Sequence, residues 1–501
     1  MVKWGLQVSI PKRKLFNGHA NRYLSQCGPR CRDSTAPKTY INRKHVRQNP
    51  ELYSQNCLER KYKAQSDSPF KIVKLFDKWL ESQKSTRERR EKRNAIRTQL
   101  SRSRTFSGIQ EEGQDGNGKQ KTQLLEEAQD LKKQLSASEA LEGQLDNEIE
   151  DLAITLPNLT SDQTPRRDEP KVLGHGNEHS NPPSTPHDRT WRNHVHIGRE
   201  FDLIDFAGAA TTSGWGWYYL KNEAASLERA LVQYAIKVAV QHGITEVTPP
   251  SMVYTHIASR CGFQPRDQSG EQQVYGIQQS GKDEEKGKPS YSLAGTAEIP
   301  FAGMKANTVI DRADLPIRVV GSSRCYRAEA GARGVETKGL YRVHEFTKVE
   351  MFAWTAPGAE NEDQIFHSMV AIQKEVLQNL GLRWRHLEMP AKDLGASAFR
   401  KQDFEVYFPS RREIDDGWGE VTSASICTDY QTRRLNTRVR NPAGSQAKMD
   451  FPSTVNGTAL AVPRVLAAIL ENGWDDEEMC VRIPEVLWPW MDGVQAIKRK
   501  R

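Results

Sequence analysis

RVVGSSRCYRAE, residues 318–329, and RVHEFTKVEMFAW, residues 342–354, are two strand-like runs separated by a segment holding Gly331, Gly334 and Gly339. Along a strand, neighbouring side chains point to opposite faces. Arg327 and Glu329, two apart, are therefore expected on one face of the first run. In the second run Arg342, Phe346 and Glu350 are expected on one face, with Val343, Val349 and Met351 on the other. At a rise of roughly 3.3 Å per residue, Arg342 and Glu350 would lie about 26 Å apart, enough to span a nucleotide plus an amino acid. Two arginines, an aromatic ring and two acids make a poor core face. They make a good site for phosphate, an adenine ring and an ammonium group. An exposed hairpin laced with salt bridges explains any one of these residues as well; the ordered set points to a binding face. No GxxxxGK[ST] loop is present, so phosphates are not expected in a P-loop.

Upstream the chain changes character. From Lys38 to about Leu156 it is polar and charged, with few Gly or Pro residues. A first helix is expected from Ser68 to about Arg104 and a second from near Lys121 to Leu156, with a Gly-rich break between them. In the second, Leu124, Leu131, Leu145 and Leu152 keep a seven-residue repeat, with Ala128, Leu135, Ile149 and Leu156 interleaved. This is a heptad seam, interrupted at Ser138 and Glu142. The first helix carries Ile72, Phe76 and Trp79, then turns basic through Lys84, Arg87, Arg89, Arg90, Lys92, Arg93, Arg97, Arg102 and Arg104, against only Glu88 and Glu91. Two such helices form an antiparallel arm. A charge run is ordinarily a solvated helix face, but an excess of one sign on an arm too thin for a pocket points to phosphate contact. Residues 157–193, rich in Pro, Asn, Ser and His, are expected as a linker, and 194–495 as an α+β catalytic domain.

The bulk properties bound the rest. A length of 501 residues calls for more than one core. Mean hydropathy of -0.73 and the lack of a long apolar run exclude a membrane span. Net charge of +8 agrees with a polyanionic partner. Seven scattered cysteines without a CxxC pair argue against a disulfide framework or a thiolate zinc site. In residues 1–35, Lys3, Lys12, Arg13, Lys14, Arg22, Arg30 and Arg32 meet no acid before Asp33. Such a segment resembles an organelle transit peptide and implies a mitochondrial matrix location; a basic disordered extension, in a cytoplasmic protein, is the other reading.

RxE, a loop and RxxxFxxxE together resemble motif 2 of the class II aminoacyl-tRNA synthetases, and YRAEAG with KGLYRVHEFTKVE resembles the seryl branch. HGITEVTPP, residues 242–250, is similar to motif 1, whose proline lies at the dimer interface in that class. NGTALAVPRVLAAILEN, residues 456–472, is similar to motif 3. TAEIP at 296–300, DLGASAFRKQDFEVYFP at 393–409 and EVTSASICTDYQTRRLNTRVR at 420–440 extend the likeness, which covers roughly residues 38–495. His196-Ile197-Gly198-Arg199 imitates a class I signature, but the closing histidine and a KMSKS-like loop are missing.

The resemblance implies an antiparallel-sheet class II domain with a helical arm. It implies a homodimeric serine–tRNA ligase that uses ATP and Mg2+ to make seryl-adenylate from L-serine and passes serine to tRNA(Ser). By position, Arg327 would bridge α-phosphate and carboxylate, and Ala328 and Glu329 would meet adenine. Arg342 and Arg464 would hold the γ-phosphate, with Val343 beside them and adenine between Phe346 and Arg464. Glu420 would carry Mg2+, with Val421, Thr422 and Ser423 along the nucleotide. Thr296, Ala297, Glu298, Arg327, Glu350 and Thr458 would form the serine pocket. Departures are Thr458 for a serine, Ala459 and Pro463 for glycines, and Thr422, Ala424 and Ile426 within the usual SSCSN run. A catalytically silent tRNA-binding relative is the alternative, and survival of all the charged positions argues against it.

Overall fold

The computed structural model describes residues 36–106, 115–178, 192–264, 273–329, 339–442 and 449–499. The basic first 35 residues, Gly331 and Gly334 lie outside them. After two short helices, Arg43–Gln48 and Pro50–Glu59, come two long ones, α1 (Ser68–Phe106) and α2 (Asp115–Ile154). The second starts earlier than the expected Lys121 and takes in Gly116 and Gly118, a cost of about 1 kcal/mol each that pairing with a partner helix offsets.

The helices run antiparallel, and the seam explains its own interruptions. Ile72 and Ile96 of α1 and Leu131, Leu135, Leu145 and Ile149 of α2 are buried. At the break, Glu142 accepts from Thr86 Oγ1 at 2.6 Å and from Gln83 Nε2 at 2.8 Å. Ser138 Oγ accepts from Arg89 Nη1 at 2.5 Å. Thr86 and Ser138 are both buried, so a slip in register would strand their polar atoms. Arg89 therefore faces the seam and leaves the set expected to meet phosphate. Arg90 pairs with Glu139 at 2.7 Å, while Lys92, Arg93 and Arg97 are exposed.

The remainder is built on an eight-stranded sheet. In chain order its strands are β1 (Lys171–Gly176), β2 (Thr245–Glu246), β3 (Ile317–Tyr326), β4 (Glu345–Thr355), β5 (Trp384–Glu388), β6 (Arg400–Tyr407), β7 (Trp418–Thr428) and β8 (Ser453–Ala461). The spatial order is β1-β5-β6-β7-β8-β4-β3-β2. Neighbours are antiparallel except β2 and β3, which are parallel. The stretch 157–193 is thus more than a linker, because Lys171–Gly176 forms an edge strand. The short pairing of β1 with β5, not side-chain periodicity, makes it one.

Behind the sheet pack α3 (Asn222–Gln241), α4 (Ala359–Asn379) and α5 (Val462–Asn472). Val349, Met351 and Ala353 of β4 face this core. Phe352 and Trp354 enter a smaller cluster on the other face, with Phe301. Pro463 sits in the first turn of α5, where no helical N–H is needed, so its replacement of glycine is accommodated.

The root of the arm is tied to the sheet. Asn158 Nδ2 donates to the carbonyls of Ser397 and Cys427, each at 2.9 Å, and its own carbonyl accepts from Asn56 Nδ2 at 3.0 Å. Arg434 Nη2 donates to Ile154 O at 3.3 Å and Leu156 O at 3.2 Å, satisfying carbonyls that the end of α2 leaves open. Cys57, Cys261, Cys325, Cys427 and Cys480 are free and buried. Among the described residues no helix is long and apolar enough to cross a membrane.

Candidate active site

β3 ends at Tyr326 and β4 begins at Glu345, so Arg327, Glu329 and Arg342 all lie off the strands on which alternation put them. Glu329 has a φ of +47°, which turns its side chain back toward the sheet. On the return, Leu340 N donates to His194 Nε2 at 3.0 Å, which leaves the ring proton on Nδ1 to meet Glu471 at 2.7 Å. The Tyr341 hydroxyl donates to the same carboxylate at 3.3 Å. A buried His–Glu pair, not strand geometry, thus aims Arg342.

The consequence is a compact cleft in place of a 26 Å strand face. Arg327, Glu329, Arg342, Val343, Phe346, Glu420, Val421, Thr422, Ser423, Thr458 and Arg464 all line it. Val343 corrects the alternation too, since it packs with Cys325 and Phe346, away from Val349 and Met351. Ala328 lies at the rim, its N–H on Gln273 O at 3.1 Å. The His196–Arg199 imitation of a class I signature falls within a short helix, His194–Glu200, whose Ile197 is buried in the main core.

One end of the cleft is a set of ion pairs. Arg342 Nε lies 2.9 Å from Glu329 Oε2, and Arg464 Nη1 lies 3.1 Å from Glu420 Oε2. Arg464 also donates to the carbonyls of Tyr341 and Glu420. Arg327 stacks its guanidinium 5.2 Å from the centre of the Phe346 ring. Burial alone would raise the Glu420 carboxyl, but Lys401 and Arg464 outweigh it and hold it at about 2. It is an anion at any physiological pH.

The other end is closed and cross-linked: only Lys348 and Thr458 line the cleft there, and Thr296, Glu298 and Glu350 stand behind them. Thr296, Glu298, Glu350 and Thr458 are all buried, and so is Lys348. Lys348 Nζ lies 2.6 Å from Glu350 Oε2 and donates to Thr296 Oγ1 at 2.7 Å. Thr458 Oγ1 donates to Glu350 Oε2 at 3.1 Å. Glu298 accepts from Gln431 Nε2 at 2.6 Å and Asn456 Nδ2 at 3.2 Å. Burial, then the neighbouring Glu350, push the Glu298 carboxyl up to about 7. With both acids ionised and Lys348 protonated, this end carries one net negative charge and calls for a small cation. Ala297 is buried beneath it in the smaller core.

Sequence reasoning missed Lys348, although it shares parity with Phe346 and Glu350 and was readable from the same alternation. It also missed Gln373, which reaches from α4 to Thr422 Oγ1, Ser423 O and Thr458 O, and Gln431. Both are single amides on helices, with no motif to mark them. Ile426 is buried in the main core, so the residue standing where the family keeps asparagine serves packing here.

Two family models match the chain. "Seryl-tRNA synthetase N-terminal domain" covers residues 41–160, and "tRNA synthetase class II core domain (G, H, P, S and T)" covers 280–473. A serine–tRNA ligase of Rhodopirellula baltica is 35% identical over 460 residues, 91% of this chain and 99% of that protein. A mitochondrial serine–tRNA ligase of Saccharomyces cerevisiae is 40% identical over 369 residues, 73% of this chain and 78% of that protein. Among solved structures, seryl-tRNA synthetase from Pyrococcus horikoshii complexed with ATP superposes with a TM-score of 0.76 at 29% identity, covering 92% of this chain and 100% of that one.

Proposed function

This chain belongs to the seryl-tRNA synthetase family and is a serine–tRNA ligase, and from that premise we propose how its residues divide the work. The observation that carries the assignment is the closed end of the cleft, where two acids, one lysine and the Thr458 hydroxyl meet. The net negative charge, to which Glu298 contributes, receives the ammonium of L-serine, and Thr458 with Thr296 receives its hydroxyl. Arg327 stands between the two ends and holds the serine carboxylate against the α-phosphate of ATP. Attack builds charge on phosphate oxygens, which Arg327, Arg342 and Arg464 neutralise. Glu329 reads the adenine amino group, and adenine lies over Phe346 beside Arg464. Because Arg342 and Arg464 are paired with Glu329 and Glu420 before ATP arrives, they exchange a carboxylate for a phosphate as it binds.

Mg2+ takes one or two carboxylates and otherwise substrate phosphates and water. Glu420, ionised and half-exposed on the cleft wall, fits that mode. When bound, the ion would withdraw charge from the phosphates as a Lewis acid. The arm grips tRNA(Ser) through phosphate contacts at Lys84, Lys92, Arg93 and Arg97, and two copies of the chain pair through the motif 1 segment at the β2 edge. The acid-poor residues 1–35 and the mitochondrial yeast relative support work in mitochondrial translation. The division into segment 1–35, arm 36–156, connector 157–193 and catalytic domain 194–495 belongs to the same proposal.

The test is amino-acid-dependent ATP–diphosphate exchange. Serine is expected to drive it, and alanine, threonine and proline to fail. Stimulation by threonine or proline but not serine would overturn the pocket assignment.

A further inference from the structure

The carboxylate of Glu298 has two hydrogen-bond donors, and one of them comes from an unexpected place. Gln431 lies on the short helix Tyr430–Leu435, directly after β7, and is fully buried. Its Nε2 donates to Glu298 Oε1 at 2.6 Å, while its Oε1 accepts from Thr454 Oγ1 at 2.7 Å. The ionised Glu298 carboxylate can only accept, so the amide turns its nitrogen to Glu298, and Thr454 gives its hydroxyl to the oxygen left on the other side. The helix itself is pinned on its far side. Arg434, one turn along, holds the carbonyls of Ile154 and Leu156 at the root of the arm, and Thr432 Oγ1 donates to Pro452 O at 2.7 Å. Asn456, the other donor, is shared, because its Nδ2 also lies 3.4 Å from Glu350 Oε1. Gln431 is therefore the donor that belongs to Glu298 alone.

We propose that Gln431 is a positioning residue for serine recognition, which, anchored at its far end by Thr454, aims the Glu298 carboxylate at the substrate and keeps it available as an anion. The inference rests on the placement of serine against Glu298. Gln431 does not reach the cleft lining and acts through Glu298 alone. Its hydrogen bond favours the ionised carboxylate against the burial and the Glu350 charge that oppose it. Removal of the bond raises the carboxyl further, so the form that binds an ammonium appears only at higher pH.

The experiment measures serine and ATP KM in diphosphate exchange across pH 5.5–9 for the full chain, Gln431→Met, Thr454→Val and Glu298→Gln. Gln431→Met keeps length and packing and deletes the donor. It is expected to raise the serine KM by roughly 10- to 100-fold with the ATP KM within about 2-fold. The acid limb of kcat/KM for serine should move to higher pH. Thr454→Val, which leaves Gln431 in place but removes the hydrogen bond that anchors its far end, should give the same split with a smaller change. A merely structural residue would shift both KM values together and leave the acid limb where it was, and that result in both variants overturns the proposal. Glu298→Gln separates the two readings. If it leaves serine KM unchanged, the serine placement fails. If it raises serine KM while Gln431→Met and Thr454→Val do not, only the role of Gln431 fails.

Discussion

At the closed end of the cleft Glu350 is 1% exposed, and every acid there already has its donors before substrate arrives. At the open end the side chains of Arg342 and Glu420 are 46% and 40% exposed and face each other's neighbours as ion pairs. The contrast follows from what each end must do. A small ammonium and hydroxyl are selected by groups that cannot relax, since a missing partner leaves buried polar atoms unpaired at about 1–3 kcal/mol each. A triphosphate brings its own charge and only needs cations that can release their carboxylates. Pairs that keep contact with water are held less firmly than fully buried ones, so they open more readily. Preorganisation is concentrated at the amino-acid end.

The largest break in that contrast is expected from Arg327, which serves both ends. Arg327→Ala should lower serine-dependent exchange by about 1000-fold, through kcat as well as both KM values, because it meets charge that develops during attack. Arg342→Ala, confined to the open end, should spare the serine KM. If Arg342→Ala raised the serine KM as much as the ATP KM, the two ends would not be separable.

A smaller effect comes from pH. Glu298, raised to about 7 by burial and by Glu350, must lose its proton to bind an ammonium. Serine affinity should therefore fall as pH drops from 8 to 6, by about 10-fold per unit at most, with proton release on binding near neutral pH. Titration calorimetry in two buffers of different ionisation enthalpy measures that release. Glu420, held at about 2, adds nothing in this window, so it gives ATP affinity no slope of its own. The same shift acts on folding. The folded carboxyl binds its proton more tightly than the unfolded one, so this group's contribution to stability declines as pH rises through the usual carboxylate range to about 7.

The reading of 318–354 picked out side chains that the structure does bring together, for partly wrong reasons. Alternation is a property of strands, and it gave Phe346 and Glu350 correctly because both lie on β4. It failed for Arg342 and Val343, which precede that strand and are placed by His194 and Glu471, residues far away in sequence. No local pattern carries that information. Heptad spacing gave the arm because helix pairing is a repeat, and the breaks at Ser138 and Glu142 were visible as breaks. Their partners, Arg89 and Thr86, were not, since a polar seam position looks like any other surface residue until two helices are aligned. The β1 edge strand was hidden in a segment whose composition reads as a linker.

The arm gives the next comparison, of exposed charge with buried charge. Lys92→Glu, Arg93→Glu and Arg97→Glu together should weaken tRNA(Ser) binding by about 10- to 100-fold at low salt and flatten its salt dependence. Serine-dependent exchange in the absence of tRNA should not change. Arg89→Glu is a different experiment, because it places a carboxylate against Ser138 in the seam and acts through helix pairing.

The smallest expected effect tests that seam alone. Glu142→Ala removes the acceptor for Thr86 and Gln83 and leaves the buried Thr86 hydroxyl without its partner. The loss should be about 1–2 kcal/mol of arm stability, read as earlier exchange of amide hydrogens along α1 and α2 while the sheet keeps its protection. Because Glu142 lies away from both ends of the cleft, serine and ATP KM should stay put. If the sheet strands lost protection as well, the arm and the catalytic domain would unfold as one unit. The bonds of Asn158 and Arg434 at the root would then be strong enough to carry a local defect in the arm into the pocket that Gln431 supports.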